Sequence, residues 1–191
     1  MTTLILGPVR SGKSARAQTL AEASGKRVIY AATAAYDPED AEMRERIERH
    51  RRDRPAEWTT VETTASISLE TLLRDAPSDT CVLVDALGTW ISAQLMAWPD
   101  FETDDVLAAE AALDAQGREL TETIAAMRAD AIIVAEETGW GVVPPAPLGR
   151  VFRDVLGRLA QRIAARADRV ELVVAGYALD LRALGRRVDE V

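Results

Sequence analysis

The chain has a single cysteine, Cys81, so it cannot form an internal disulfide, and we expect a reducing, cytoplasmic location. It also lacks an apolar run of membrane-spanning length, which predicts a protein without a membrane span. Basic residues are in deficit, because 23 Lys and Arg stand against 31 Asp and Glu for a formal charge of -8. Binding to nucleic-acid phosphates favours a basic face, so we expect no nucleic-acid partner.

Neither an internal repeat nor a convincing linker divides the 191 residues, a length that suits one domain. Five nearly continuous apolar runs alternate with helical patterns, as is typical of strands covered on both faces. The sequence therefore predicts an α/β fold, a mostly parallel sheet with helices on both faces. The predicted strands are Thr3–Leu6, Val28–Ala32, Cys81–Val84, Ala131–Ala135 and Val170–Val174, and the predicted helices are Lys13–Ala23, Pro38–Arg52, Ala86–Ala97, Asp104–Arg128 and Leu148–Ala167.

A complete phosphate-binding motif, G-x-x-x-x-G-K-S, follows the first predicted strand and opens the first predicted helix. This placement aims the backbone N–H groups of a turn and of a helix N-terminus at one anion. Lys13 is expected to reach the β/γ-phosphates, and the Ser14 hydroxyl to ligate Mg²⁺. The predicted loop consists of Gly7, Pro8, Val9, Arg10, Ser11, Gly12, Lys13 and Ser14. We therefore predict a single P-loop nucleotide-binding catalytic domain spanning residues 1–191.

Asp85 ends the apolar run Val82-Leu83-Val84. An acidic residue in that position commonly holds Mg²⁺ opposite the phosphate loop, directly or through water. The alternative is an N-cap for the helix that follows, and the two roles are compatible.

The single histidine, His50, lies in a segment with six arginines among eleven residues. A neutral imidazole beside arginines is a competent nucleophile toward phosphorus, and nearby positive charge lowers its pKa. At helical spacing Met43, Ile47 and His50 share a face, so a packed, structural histidine is the alternative. Composition and spacing leave both roles open.

A glycine-rich loop, Glu136-Glu137-Thr138-Gly139-Trp140-Gly141, follows the predicted strand Ala131–Ala135. Glu137 suits metal binding or orientation of a substrate hydroxyl, and Trp140 suits covering a bulky ligand. An ordinary strand-to-helix loop with a half-buried Trp is equally compatible with these residues.

Together these groups resemble the bifunctional adenosylcobinamide kinase/adenosylcobinamide-phosphate guanylyltransferase family over nearly the whole chain. The histidine block and the glycine-rich loop are the more specific parts of the match. The residues that carry it are Gly7–Ser14, Arg46-Ile47 with His50, Arg54-Pro55 and Trp58, Val84-Asp85, Glu137 with Gly139 and Gly141–Pro144, and Phe152–Asp154 with Gly157-Arg158.

The resemblance implies an enzyme of cobalamin biosynthesis that phosphorylates adenosylcobinamide with ATP or GTP. It implies that the enzyme then transfers GMP from GTP to adenosylcobinamide phosphate through a guanylyl-histidine at His50, giving adenosylcobinamide-GDP. It further implies Mg²⁺ as cofactor, a RecA-like P-loop fold and a homotrimer. The nucleotide contacts that it implies, beyond the phosphate loop, are Ala32, Thr33, Ala34, Arg51, Arg52, Asp53, Arg54, Glu62 and Asp85.

The chain departs from the family pattern at two places. Asp85 is usually followed by Cys, Leu and Thr, whereas here Ala86, Leu87 and Gly88 follow. An Asn commonly precedes the glutamate of the glycine-rich loop, whereas here that residue is Glu136. These positions lie beyond the phosphate loop and bear on corrinoid contact or on the kinase step.

Three other functions are compatible with a phosphate loop. A monofunctional small-molecule kinase would leave His50 with a structural role. A GTP-binding switch is disfavoured, since the chain has neither an N-K-x-D motif nor a D-x-x-G after the second acidic strand. A nucleic-acid-binding ATPase is disfavoured by the charge of -8 and by the glutamates interleaved with the arginines.

Overall fold

A seven-stranded sheet forms the centre of the protein in a computed structural model, which describes residues 1–33, 45, 48, 51–52, 54–63, 67–98 and 106–188. The strands are β1 (Thr2–Gly7), β2 (Arg27–Ala32), β3 (Thr59–Glu62), β4 (Thr80–Asp85), β5 (Asp130–Glu136), β6 (Arg169–Val174) and β7 (Tyr177–Asp180). The helices are α1 (Lys13–Ala23), α2 (Leu69–Asp75), α3 (Leu87–Met96), α4 (Val106–Ala126), α5 (Pro147–Arg166) and α6 (Leu181–Leu184).

The strand order is β3-β2-β4-β5-β1-β6-β7, and only the β6–β7 pair is antiparallel. Strand β5 therefore lies between β1, which leads into the phosphate loop, and β4, which ends in Asp85. The predicted α/β fold, a mostly parallel sheet with helices on both faces, is confirmed. All five predicted strands are present, each within two residues of its predicted bounds.

Continuous apolar runs form the central strands because helices cover both faces of the sheet. On one face, Ala17 and Ala21 of α1 pack in a cluster with Ile5 and Val134. On the opposite face a larger cluster includes Ile91 of α3 and residues from α2, α4 and α5. The strand ends are thereby held in fixed register, and the loops that follow them meet at one edge of the sheet.

An ion pair anchors α1 close to the phosphate loop. The Glu171 carboxylate of β6 is 1% exposed and accepts hydrogen bonds from Arg16 Nε at 2.8 Å and Arg16 Nη2 at 2.9 Å. Arg169 Nη2 lies 2.5 Å from the same carboxylate. Removing one partner of such a buried pair is costly, so the contact holds the start of α1 against the sheet.

The sequence did not predict β3, β7, α2 or α6. Strands β3 and β7 are four-residue edge strands with mostly exposed side chains, so they carry no apolar run. Helices α3 and α4 end at Met96 and Ala126, within two residues of the predicted Ala97 and Arg128. The predicted helix 38–52 lies mostly outside the described residues, although Glu45, Glu48, Arg51 and Arg52 have helical backbone.

None of the helices in the described part of the chain has the length and apolar character needed to cross a membrane.

Candidate active site

The phosphate loop connects β1 to α1 and depends on two glycines. A Cβ at Gly7 would lie 2.5 Å from the Val173 carbonyl oxygen and 2.6 Å from Ser11 Oγ, so no side chain fits there. Gly12 has φ of 99°, a conformation that L-residues rarely adopt. Within the described residues no side chain caps the first turn of α1, so its N–H groups remain available to a phosphate.

Lys13 is the first residue of α1, and its Nζ donates to the Pro8 carbonyl oxygen at 3.3 Å. This contact keeps the ammonium group over the loop that it is predicted to serve. Val9 and Arg10 at the loop tip are exposed, and Arg10 has φ of 58°. The loop is therefore open to a ligand, and the Lys13 ammonium group lies at the end of the loop where α1 begins.

Ser14 and Asp85, the two predicted Mg²⁺ ligands, meet across the sheet edge. Ser14 Oγ donates to Asp85 Oδ1 at 3.3 Å, and the Tyr30 hydroxyl donates to Asp85 Oδ2 at 2.9 Å. Burial and the Asp85 carboxylate raise the pKa of Tyr30, so this hydroxyl stays a hydrogen-bond donor. The N-cap of α3 is Ala86, so the alternative role of Asp85 as an N-cap is wrong.

A hydroxyl and a carboxylate are the hard oxygen donors that Mg²⁺ prefers. The ion usually binds one or two carboxylates together with substrate phosphates and water, so Ser14 and Asp85 fit it beside a phosphate loop. No cluster of three or more His, Cys, Asp or Glu side chains occurs in the described parts of the chain. A metal that shares its coordination with nucleotide phosphates does not need such a cluster.

Thr33 follows β2 and is buried beneath the turn between β4 and α3. Its hydroxyl donates to the Ala86 carbonyl oxygen at 2.6 Å and shares a hydrogen bond with Thr89 Oγ1, also at 2.6 Å. Thr89 Oγ1 in turn accepts from the Ala86 N–H at 3.1 Å. Thr33, expected at a nucleotide contact, therefore supports the turn that follows Asp85, and neighbouring Ala32 ends β2.

A polar cleft of about 420 Å³ lies beside β3 and is lined by Arg51, Arg54, Pro55, Trp58 and Glu62, among others. Three predicted contact residues, Arg51, Arg54 and Glu62, are thus brought together. Arg51 forms an ion pair with Glu62 and a second one with Glu48 at 3.4 Å. Arg52 is exposed on the same segment.

Arg54 connects this cleft to the Ser14–Asp85 pair. Its guanidinium carbon lies 3.4 Å from the centre of the Tyr30 ring, and Tyr30 donates to Asp85. Among the residues that the structure describes, none accepts a hydrogen bond from the buried Arg54 Nε, which places a cation on the ring face in a desolvated setting. Tyr30 was not predicted as a site residue, because it lies inside an apolar strand where an aromatic side chain is typical of the core.

Glu136, at the end of β5, lies closer to the phosphate loop than the sequence suggested. It is paired in register with Gly7, and its Oε2 accepts from the Gly88 N–H at 2.8 Å. Burial raises the pKa of Glu136, while Lys13 opposes that shift. An acid directly after a buried strand is the signal that identified Asp85, and it applies equally to Glu136.

Glu137, by contrast, uses Oε1 to accept from the Gly139 N–H at 2.6 Å within its own loop. Trp140 on that loop is exposed rather than half-buried. Of the remaining candidates, His50, Ala34 and Asp53 lie outside the described residues.

The glycine cradle, the lysine and serine at the start of α1, and the carboxylate at the end of β4 define a P-loop nucleotide-binding protein. Comparison with known proteins identifies the family within this class. The model of the cobinamide kinase / cobinamide phosphate guanyltransferase family matches residues 3–181. The chain belongs to this family, which confirms the resemblance stated from the sequence.

Two curated relatives match this chain along nearly their whole length. The bifunctional adenosylcobalamin biosynthesis protein CobP of Pseudomonas aeruginosa is 40% identical over 182 residues, covering 95% of this chain and 98% of the relative. The bifunctional adenosylcobalamin biosynthesis protein CobU of Salmonella typhimurium is 37% identical over 186 residues, covering 95% and 100%. Among solved structures, a RadB recombinase aligns over 90% of this chain and 73% of its own, with 18% identity and a TM-score of 0.44. That likeness is too distant to bear on function.

Replacing Tyr30 by Phe tests the link between the cleft and Asp85. The change removes one hydrogen bond to a carboxylate, worth about 1.5–3 kcal/mol, and keeps the ring under Arg54. We expect the Mg²⁺ concentration needed for half-maximal nucleotide turnover to change, measured by titrating Mg²⁺ at saturating nucleotide. Tyr177→Phe, at an exposed tyrosine of β7, is the matched control. Equal Mg²⁺ dependence in Tyr30→Phe and wild type would show that the hydroxyl has no part in orienting Asp85.

Proposed function

We propose that this chain is a bifunctional enzyme of cobalamin biosynthesis that phosphorylates adenosylcobinamide and then attaches GMP to the product. The observation that carries the proposal is the connection of two binding features, the phosphate loop with Ser14 and Asp85, and the arginine-lined cleft, through Tyr30. Family membership supplies the substrate class. Two phosphate-directed chemistries need both a γ-phosphate cradle and a second cationic surface.

In the first step the phosphate loop binds the triphosphate of ATP or GTP. The N–H groups at the start of α1 and the Lys13 ammonium neutralise charge on the β- and γ-phosphates. Ser14 and Asp85 are the residues that would hold Mg²⁺, which supplies charge neutralisation between the two phosphates. The hydroxyl of the aminopropanol arm takes the γ-phosphoryl group.

In the second step we infer that His50 attacks the α-phosphate of GTP. A bond forms between an imidazole nitrogen and the α-phosphorus, and the bond to the bridging oxygen breaks to release pyrophosphate. A phosphate oxygen of adenosylcobinamide phosphate then attacks the same phosphorus, frees His50 and gives adenosylcobinamide-GDP. Arg51, Arg52 and Arg54, close to His50 in the chain, offer bidentate contacts to phosphate oxygens.

The proposal includes one catalytic domain of residues 1–191, a homotrimer and a cytoplasmic location, with no nucleic-acid partner. Cys81 supports a reducing compartment, since it is buried as a free thiol. The proposed nucleotide contacts are Gly7–Ser14, Ala32, Thr33, Ala34, Arg51–Arg54, Glu62 and Asp85.

The test is to incubate wild-type protein with magnesium, adenosylcobinamide and GTP labelled at the α-phosphate. We expect label in the corrinoid product, and label on the protein when the corrinoid is omitted. The protein-bound label should be acid-labile and alkali-stable, as a phosphoramidate is. Phosphorylated corrinoid without any α-label in product or protein would instead establish the monofunctional kinase.

A further inference from the structure

The Glu136 carboxylate lies beside the phosphate loop and has only part of its hydrogen-bonding capacity in use. Its strand, β5, runs between β1 and β4, and Glu136 is opposite Gly7, the first residue of the loop. The charged groups that act on it are Lys13 of α1 and Asp85 of β4. The position is at the carboxyl edge of the sheet, where ligands bind in this class of fold.

Only one of the two carboxylate oxygens is held. Oε2 accepts from the Gly88 N–H at 2.8 Å, whereas Oε1 receives no hydrogen bond from another residue in the described part of the chain. The carboxylate occupies space left open by Gly88, because a Cβ there would lie 2.4 Å from Oε2 and 2.8 Å from Cδ. The two departures from the family pattern, at 88 and 136, are therefore a single structural feature.

The neighbouring carboxylates differ in how they are engaged. Asp85 accepts from Ser14 at one oxygen and from Tyr30 at the other. Glu137 accepts from Gly139 within its loop. Glu136 combines an available oxygen with a strand position opposite Gly7 of the phosphate loop, and general bases must lie within hydrogen-bond reach of the proton that they take.

We propose that Glu136 binds the alcohol group that is phosphorylated and accepts its proton during transfer. The inference rests on the kinase half of the proposed function and deepens it. The alcohol O–H bond breaks and its proton passes to Glu136 Oε1, while the alcohol oxygen bonds to the γ-phosphorus. The bond between that phosphorus and the β–γ bridging oxygen breaks, leaving a nucleoside diphosphate, and Glu136 then returns the proton to water.

The test uses Glu136→Gln, which retains an oxygen for the Gly88 N–H but is not a base. We expect kcat for phosphorylation of adenosylcobinamide to fall by about 10²–10⁴-fold, with the KM for nucleotide unchanged. In wild type, kcat/KM should rise with pH through the raised pKa of Glu136 and then level, since only the ionised carboxylate takes the proton. This rise of kcat/KM with pH should be absent in Glu136→Gln. It should be present, at lower kcat, in Glu136→Asp.

Asp79→Asn is the matched control, because Asp79 is an exposed carboxylate paired with Arg27 at the opposite edge of the sheet. It should keep wild-type kcat and pH profile. Active wild type with an equally active Glu136→Gln would overturn the inference, as would recovery of that variant by added Mg²⁺, which would indicate a metal-binding role. An inactive wild type would instead count against the kinase function itself, so the two failures are distinguishable.

Discussion

His50→Ala is expected to abolish guanylyl transfer while leaving phosphorylation of adenosylcobinamide in place. In the proposed mechanism the His50 imidazole is the nucleophile for the α-phosphate of GTP, so the covalent intermediate should not form without it. We expect the rate of GMP transfer to fall at least about a thousandfold, which corresponds to about 4 kcal/mol of transition-state stabilisation. The measurements are protein-bound α-label and the formation of adenosylcobinamide-GDP from adenosylcobinamide phosphate.

The kinase rate provides the internal control for this variant. If His50 only packs against its neighbours, replacing it should lower thermal stability and reduce both activities together. If it is the nucleophile, the two activities separate, and the unfolding temperature stays close to that of wild type. A His50→Ala protein that still carries an acid-labile α-label would show that another residue is guanylylated.

Lys13→Ala is expected to reduce both activities, by about 10²–10³-fold in kcat, which is typical for loss of one preorganised charge at developing phosphate charge. The lysine is the first residue of α1 and is held over the loop by its contact with the Pro8 carbonyl oxygen. We propose that a single phosphate loop serves both triphosphate-dependent steps. The rates of both steps should therefore fall in Lys13→Ala. The measurements are steady-state kinase and guanylyltransferase rates and nucleotide affinity by titration.

Lys26→Ala is the matched control, since Lys26 is the only other lysine of the chain. Its Nζ lies 2.8 Å from Asp130 Oδ2, at the edge of the sheet opposite the phosphate loop. The control should retain both activities with at most a small loss of stability, as is usual for a partly exposed ion pair. Loss of phosphorylation alone in Lys13→Ala would show that GMP transfer uses a second nucleotide site.

Much of the fold could be predicted because parallel strands covered on both faces need continuous apolar runs. Strands β1, β2, β4, β5 and β6 all carry such runs, and the phosphate-loop motif located the first strand-to-helix turn. Edge strand β7 could not be predicted, since its exposed side chains give no pattern and its pairing with β6 supplies its stability. Helix α2 is only seven residues long, too short for a clear periodicity.

The sequence alone determined the phosphate loop, the acidic residue at the end of β4 and the family, because each depends on residue type and local order. Only the tertiary structure decided which side chains complete the site. Tyr30 and Arg54 belong to a strand and a distant turn, yet Arg54 stacks on the Tyr30 ring while the Tyr30 hydroxyl donates to Asp85. Glu136 and Gly88 are 48 positions apart in the chain, and their contact arises because β4 and β5 are neighbours in the sheet. Such contacts depend on strand order, which is set by packing across the whole sheet and leaves no local mark on the sequence.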